Sequence, residues 1–247
     1  MKKIRILGIW FNDFTINSLV ETVSRGIASN RKLLICNHNL HSVFLFHSDG
    51  DYRPVFDRAE YIHADGMPLI LWAKLKQRPV SRENRLAYLD FYEPLFHDLN
   101  KRCASVFYLG GEPGIAERAI QKLQPAYPNI VFDCSPGYFH ASGEENAAVL
   151  RKIAISKPNL LLVGMGMPKQ EKWILENFAT LPNSVIMPCG AFFDYIAGAK
   201  KTPPRWLSKF SLEWLYRFLC EPRRLFFRYF IEPVCLIPVF VKDLLLD

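Results

Sequence analysis

Apolar runs alternate with segments of helical periodicity along most of the chain. Seven runs have the length of a strand: KIRILGI, KLLIC, EYIHA, SVFYLG, NIVFDC, NLLLVGMG and SVIMPCG. Several are hydrophobic throughout, which is typical of strands whose two sheet faces are both covered by helices. Segments with helical spacing lie between them, around residues 15–29, 66–76, 113–124, 144–156 and 168–178. The alternation predicts an α/β fold with a largely parallel sheet flanked by helices.

From about residue 200 this pattern changes. Prolines, tryptophans and many phenylalanines are interleaved there with arginine and lysine. The longest uncharged piece, PVCLIPVFV, is nine residues long, whereas a membrane-spanning helix needs about 20. Basic residues beside Trp, Phe and Leu are instead typical of a helix that lies in a membrane interface. We therefore expect a core over residues 1–199 and a helical, membrane-associating appendage over residues 200–247.

The positive charge of the chain is concentrated in the same segment. The formal net charge is +7, and +6 of it lies between residues 200 and 230. Such a concentration favours a phosphate-rich or membrane partner. The Lys and Arg residues of this stretch are Lys200, Lys201, Arg205, Lys209, Arg217, Arg223, Arg224 and Arg228.

The cysteines and the N-terminal residues indicate the compartment. The six cysteines are scattered, without the two-residue spacing of zinc or redox sites, so we expect small core residues in a reducing environment. Asn12 and Asp13 end the first apolar run before the core of a signal peptide could form, and no export is expected.

Glycines and polar residues directly follow the predicted strands, where open α/β sheets bind ligands. The loop GMGMPKQ, which contains Gly164, Gly166 and Gln170, offers backbone amides and a helix start to phosphate oxygens. It is not a P-loop, because no Lys-Ser/Thr pair follows, and it lacks the third glycine of a dinucleotide fingerprint. A helix start that needs only tight turns is the alternative interpretation.

Asp65 follows a short strand directly and precedes a predicted helix. Its carboxylate is a candidate general base at the sheet edge, and a helix cap is the alternative. At another strand end, Asn37, His38, Asn39 and His41 favour hydrogen bonding to a sugar or nucleobase over metal binding, because the spacing supplies no third ligand.

The acidic stretch DGD at residues 49–51 resembles the acidic pair that some glycosyltransferases use to hold a divalent metal. It lies among polar loop residues, so a solvated turn is favoured.

Four stretches, taken in order, resemble the WecG/TagA/CpsF glycosyltransferase family: HADG followed by Trp72 and Ala73, VGMGMPKQEKWI, CGAFFDYIAG, and SLEWLYRFLCEPRRLFFRY. The resemblance runs from about residue 6 to 230. It implies a Rossmann-like core whose appendage touches the inner face of the bacterial plasma membrane from the cytoplasm. It implies inverting transfer of a sugar of ManNAc, ManNAcA or glucose type from a UDP-sugar to a polyprenyl-diphosphate-linked sugar. It implies no metal, no other cofactor and no nucleic-acid partner.

The resemblance also assigns roles to residues. Asp65 matches the family's proposed catalytic base, Gln170 matches the glutamine of its glycine, proline and glutamine loop, and Arg85 matches an arginine five residues before Asp90. Many members have threonine in place of Asn37, so the sugars cannot be copied from a relative. The substrate-binding residues expected on these grounds are Asn37, Asn39, Arg85, Gly164, Gly166, Gln170, Asp194, Arg217, Arg223 and Arg224.

Two other functions remain alternatives at this point. One is a nucleotide-sugar oxidoreductase or epimerase on a Rossmann core, against which the defective dinucleotide fingerprint argues. The other is a non-enzymatic membrane scaffold, which would leave the polar residues at the strand ends without a purpose.

Overall fold

The computed structural model describes residues 1–204, 207 and 212–246. Within these residues the main sheet has six strands in the order β4-β3-β8-β7-β5-β6, and every neighbouring pair is parallel. The predicted α/β fold is therefore confirmed. The strands of this sheet are Leu33–His38 (β3), Tyr61–Ala64 (β4), Ser105–Gly110 (β5), Val131–Ser135 (β6), Leu160–Gly164 (β7) and Val185–Pro188 (β8).

The first predicted strand, KIRILGI, does not enter the main sheet. Lys3–Ile6 (β1) pairs antiparallel with Ile9–Asn12 (β2) in a separate hairpin, because Leu7 and Gly8, both with positive φ, reverse the chain between them. Its buried apolar residues nevertheless join one of the two hydrophobic cores.

The two cores lie on opposite faces of the main sheet. Successive side chains of a strand point to opposite faces, and β3 shows this directly. Leu34 and Cys36 pack in one core, whereas Leu33 and Ile35 pack in the other. Helices cover both faces: Ile16–Ala28 (α1), Leu40–Ser48 (α2), Pro54–Arg58 (α3), Met67–Leu75 (α4), Tyr88–Lys101 (α5), Ile115–Leu123 (α6), Gly143–Ser156 (α7), Lys169–Asn177 (α8) and Phe192–Ala197 (α9).

The C-terminal segment is helical and packs on the core. Its described elements are Glu213–Cys220 (α10), Pro222–Phe226 (α11), a π-helical turn at Phe227–Ile231, Glu232–Cys235 (α12) and Ile237–Leu245 (α13). Leu225 and Leu236 are buried. Asp243 accepts hydrogen bonds from the Leu7 amide and from Trp72 Nε1, each at 2.7 Å. None of the described helices is long and apolar enough to cross a bilayer.

Three of the basic and aromatic residues on which the prediction of a membrane-associating appendage rests lie outside the described residues. They are Arg205, Trp206 and Lys209.

Candidate active site

A cavity of about 770 Å³ opens at the carboxyl ends of the strands of the main sheet, beneath the C-terminal helices. Loops that follow all six strands contribute to its lining. Nine of the residues predicted from the sequence line it: Asn37, Asn39, Asp65, Gly164, Gly166, Gln170, Asp194, Arg217 and Arg224. The cavity is thus formed jointly by the core and the appendage.

Asp65 lies at the end of β4, and its side chain does not cap the following helix. The N-cap of α4 is Gly66, and no side chain makes a capping hydrogen bond there. Burial raises the pKa of the Asp65 carboxyl to about 6. The positive charges of Arg217, Arg85 and Arg228 act in the opposite direction and lower this pKa. The carboxyl therefore titrates close to neutral pH, as a general base should.

Three arginines of the appendage line the cavity: Arg217, Arg224 and Arg228. Arg217 lines it, and its Cζ lies 5.3 Å from the centre of the Tyr195 ring. Arg217 Nε is buried and has no hydrogen-bond partner among the described residues. Arg228 also lines the cavity, and burial lowers its pKa. A buried guanidinium with an unused donor is suited to binding an anion.

The other predicted arginines occupy different positions. Arg85 does not line the cavity, because its guanidinium bridges Asp90 Oδ2 at 2.6 Å and Glu213 Oε2 at 3.0 Å. It thereby connects α5 of the core to α10. Arg223 is exposed and lies outside the cavity lining, whereas Arg224 lines the cavity and pairs with Glu221.

The glycine loop after β7 requires its glycines. A Cβ atom at Gly164 would lie 2.4 Å from Tyr108 Oη, and Gly166 has φ of +82°. Gln170 is buried at the base of this loop, and its carboxamide oxygen accepts hydrogen bonds from the Gly166 and Gly190 amides, both at 3.1 Å. Gly164, Gly166 and Gln170 line the cavity, while the Gln170 carboxamide oxygen and the Gly166 and Gln170 amides are bonded within the protein.

The polar residues at the end of β3 and directly after it have different roles. Asn39 caps α2, since its Oδ1 accepts from the Ser42 amide at 3.0 Å. His38 stacks on Phe56, with 4.1 Å between ring centres, and burial lowers its pKa to about 3. The neutral His38 is therefore a core residue, and Asn37 is the buried member of the cluster that lines the cavity.

The acidic residues of the DGD turn form ion pairs with a lysine of the core. Asp49 and Asp51 of the DGD turn lie 2.9 and 3.8 Å from Lys172 Nζ. In the described part of the chain, no three His, Cys, Asp or Glu residues are grouped to hold a metal ion. Burial raises the pKa of Asp194, and the charge of Lys200 opposes this shift.

Sequence reasoning missed several residues of the cavity. Lys169 lines it and donates a hydrogen bond from Nζ to the Gly137 carbonyl at 3.1 Å. Glu232 of the appendage was also missed. It lines the cavity and accepts at 2.8 Å from Nδ1 of His41, a cavity residue that the sequence did single out. The place of Lys169 beside Pro168 in the glycine loop was a usable signal. No local pattern indicates that His41 meets Glu232, because 191 residues separate them.

Comparison with known proteins agrees with this geometry. The family model described as "Glycosyl transferase WecG/TagA/CpsF family" matches residues 4–246. The N-acetylglucosaminyldiphosphoundecaprenol N-acetyl-beta-D-mannosaminyltransferases of Staphylococcus aureus strains NCTC 8325 / PS 47 and COL are each 31% identical to the chain over 225 residues. The match covers 90% of this chain and 87% of each relative. The enzyme of strain MRSA252 has the same identity and coverage. The chain belongs to the WecG/TagA/CpsF family and is a glycosyltransferase.

Proposed function

We propose that this glycosyltransferase moves an N-acetylhexosaminyl group from a UDP-sugar to a sugar on a polyprenyl diphosphate, with inversion at the anomeric carbon. The observation that carries the proposal is the meeting of Asp65, with its raised pKa, and the partly unpaired guanidinium of Arg217 in one cavity. The names of the relatives, which are mannosaminyltransferases acting on N-acetylglucosaminyldiphosphoundecaprenol, support the acceptor class.

A single displacement accounts for the reaction. The Asp65 carboxylate accepts the proton of the acceptor hydroxyl, and the hydroxyl oxygen forms a bond to the anomeric carbon of the donor. The bond between this carbon and the phosphate oxygen breaks, and UDP leaves with the electron pair. One displacement inverts the anomeric configuration. General-base assistance of this kind contributes about 10²–10⁴ in rate.

Charge on the leaving UDP increases as the bond breaks, so the site must stabilise an anion. Arg217 and Arg228 supply positive charge from the appendage. The Gly164–Gln170 loop lines the same cavity from the core, and its backbone amides are the further donors in this proposal. Such donors act most strongly when they are fixed in a water-poor site before the reaction. The donor therefore lies between the glycine loop and α10, and the acceptor hydroxyl approaches Asp65.

Turnover with a defined donor tests the function. Detergent-purified protein is incubated with a short-chain polyprenyl-diphosphate N-acetylglucosamine acceptor and a panel of sugars activated either by UDP or by another nucleotide, with and without EDTA. We expect UDP release with one UDP-N-acetylhexosamine, undiminished by EDTA, and a β-linked product by nuclear magnetic resonance. An α-linked product would contradict inversion, and turnover with only a different nucleotide as carrier would contradict the UDP donor.

The appendage is proposed to rest on an anionic membrane surface, and the structure supplies further support for this. Large apolar side chains are exposed along its helices, among them Trp214, Leu219, Phe226, Val234, Ile237, Leu244 and Leu245. The apolar surface continues onto the core. Leu71 and Leu75 of α4 are 58% and 62% exposed, and they lie one turn apart.

Helix α4 stands directly beside the appendage. Trp72 packs against Phe240, with 4.5 Å between ring centres. Exposed Lys74 and Lys242 accompany the leucines on these two helices. Apolar side chains accompanied by lysines are typical of a helix surface that lies at the headgroup boundary of a bilayer.

The double substitution Leu71→Ser/Leu75→Ser should weaken binding to vesicles that contain phosphatidylglycerol by about 10-fold. Burying a leucine fully contributes about 1.5–3 kcal/mol, and partial immersion of two leucines accounts for a loss of this size. Vesicle co-sedimentation measures it. Ile155→Ser is the matched control, because Ile155 is 82% exposed but lies in α7, which packs against β5, whereas α4 follows β4 at an edge of the sheet. Equal binding by the double variant and the control would contradict a role for α4.

A further inference from the structure

One buried side chain connects two loops of the cavity. Gln170 is 1% exposed, and its single carboxamide oxygen accepts from the amides of both Gly166 and Gly190. Gly166 follows β7 and Gly190 follows β8, which are neighbours in the sheet. Both glycines line the cavity and both have positive φ. The position of this oxygen therefore sets the separation of the two loops.

A second buried side chain holds the carboxamide of Gln170. Glu171 is 1% exposed, and its Oε1 accepts from Gln170 Nε2 at 2.7 Å. Its other oxygen, Oε2, is buried without a hydrogen-bond partner in the described part of the chain. Glu171 does not line the cavity. A buried carboxyl with an unused oxygen lowers stability, so its presence calls for a role other than strengthening the fold.

The chemistry of the contact gives that role. A carboxamide presents an acceptor on one side and donors on the other, and rotation by 180° exchanges them. Burial raises the pKa of Glu171 to about 7, and the hydrogen bond from Gln170 opposes this shift. Its Oε1 can accept from the carboxamide whether or not the other oxygen carries a proton, so Glu171 holds the NH₂ side of Gln170 toward itself. The oxygen side then faces the two glycine amides.

We infer that Glu171 is a positioning residue, which acts through Gln170 to fix the two glycine loops at the separation that the diphosphate of the donor requires. The inference rests on the proposed function, because the loops are assigned there to the donor. Neither Gln170 nor Glu171 is proposed to contact the acceptor.

Exchanging the two side chains tests this arrangement. Gln170→Glu alone places two carboxyls side by side in a buried position, and the donor to Glu171 is lost. In the double variant Gln170→Glu/Glu171→Gln, the carboxyl at position 170 again accepts from both glycine amides. The carboxamide at position 171 then donates to it. The pair is thereby rebuilt with its polarity reversed.

We expect Gln170→Glu to raise the KM for the donor at least 10-fold, with the KM for the acceptor unchanged. The double variant should return the donor KM to within about threefold of the parent enzyme. Glu171→Met should raise the donor KM because Gln170 loses its acceptor. It should do so even though removal of a buried carboxyl with an unused oxygen favours the folded state. A purely structural role would instead lower the active fraction and the Tm and leave both KM values unchanged. A double variant no better than Gln170→Glu would overturn the inference.

Hydrogen exchange distinguishes this failure from failure of the proposed function. Peptides that cover residues 164–170 and 188–194 should exchange faster in Gln170→Glu and return to the parent rate in the double variant, with no substrate present. If exchange responds in this way but no UDP-sugar is turned over, the proposed function is wrong, and the positioning of the two loops by Gln170 and Glu171 stands. If exchange does not respond, this positioning is wrong whatever the substrate.

Discussion

Asp65→Asn should lower kcat by about 10²–10⁴, because the substitution removes the group that accepts the proton of the acceptor hydroxyl. This corresponds to about 3–5 kcal/mol of activation free energy. The fold should be unaffected, since the Asp65 side chain makes no capping bond to α4 and asparagine has nearly the same shape. UDP release at saturating donor and acceptor measures the loss. Asp49→Asn is the matched control, because Asp49 pairs with Lys172 outside the cavity lining.

The pH dependence should identify the same group. Burial raises the pKa of Asp65 to about 6, and only the ionised carboxylate accepts a proton. The rate of the parent enzyme should therefore rise as pH increases through about 6 and level off above about 7. A rate that is independent of pH between 5 and 7, or an Asp65→Asn variant within fivefold of the parent, would contradict the assignment.

Stability gives an independent check on this variant. A carboxyl whose pKa is higher in the folded state than in the unfolded state favours folding at low pH, and that contribution is lost as pH rises through the folded-state pKa. Near neutral pH the ionised Asp65 therefore destabilises the fold. Asp65→Asn should have a Tm at pH 7.5 equal to or above that of the parent. A lower Tm for Asp65→Asn would indicate that the variant loses activity because its fold is destabilised.

Arg217→Met should lower kcat/KM for the donor by about 10²–10³, the range found when one donor to a developing anion is removed. Arg217 Nε is buried without a partner among the described residues, and the guanidinium lies against Tyr195 at the cavity wall. Methionine keeps much of the aliphatic stem and removes the charge. Steady-state kinetics with a short-chain acceptor measure the effect apart from membrane binding.

Arg223→Gln is the matched control for this experiment. Both arginines belong to the same basic segment, but Arg223 is exposed and does not line the cavity. We expect its kcat/KM on the short-chain acceptor to remain within about twofold of the parent. Equal losses in the two variants would show that the segment acts through its overall charge, and the specific role of Arg217 would then be wrong.

The success of sequence reasoning differed between elements for physical reasons. The central strands of the main sheet, such as β5 and β7, were recognisable because both of their faces are buried, which leaves uninterrupted apolar runs. Helix α2, Leu40–Ser48, was not predicted, since LHSVFLFHS is apolar on most sides and shows little periodicity. Helix α5, Tyr88–Lys101, was also not predicted, and Pro94 within it is an ordinary signal for a helix boundary.

For the site, the sequence by itself determined which loops take part. The residues after each buried strand were readable in order, and parallel strands bring their carboxyl ends to one edge. Asp65, the glycine loop and Asp194 follow from this rule, and the family motifs point to the chemistry. Local sequence also fixed the basic character of the appendage.

Only the tertiary structure decided what each polar side chain does there. The sequence does not distinguish three of the arginines, but the structure does. Arg85 bridges Asp90 and Glu213, Arg217 lines the cavity, and Arg223 is exposed. The physical reason is that pairing and burial depend on contacts between residues far apart in the chain, as between Arg85 and Glu213. Gln170 shows the same limit, because the Gly190 amide that holds its oxygen belongs to the next strand's loop.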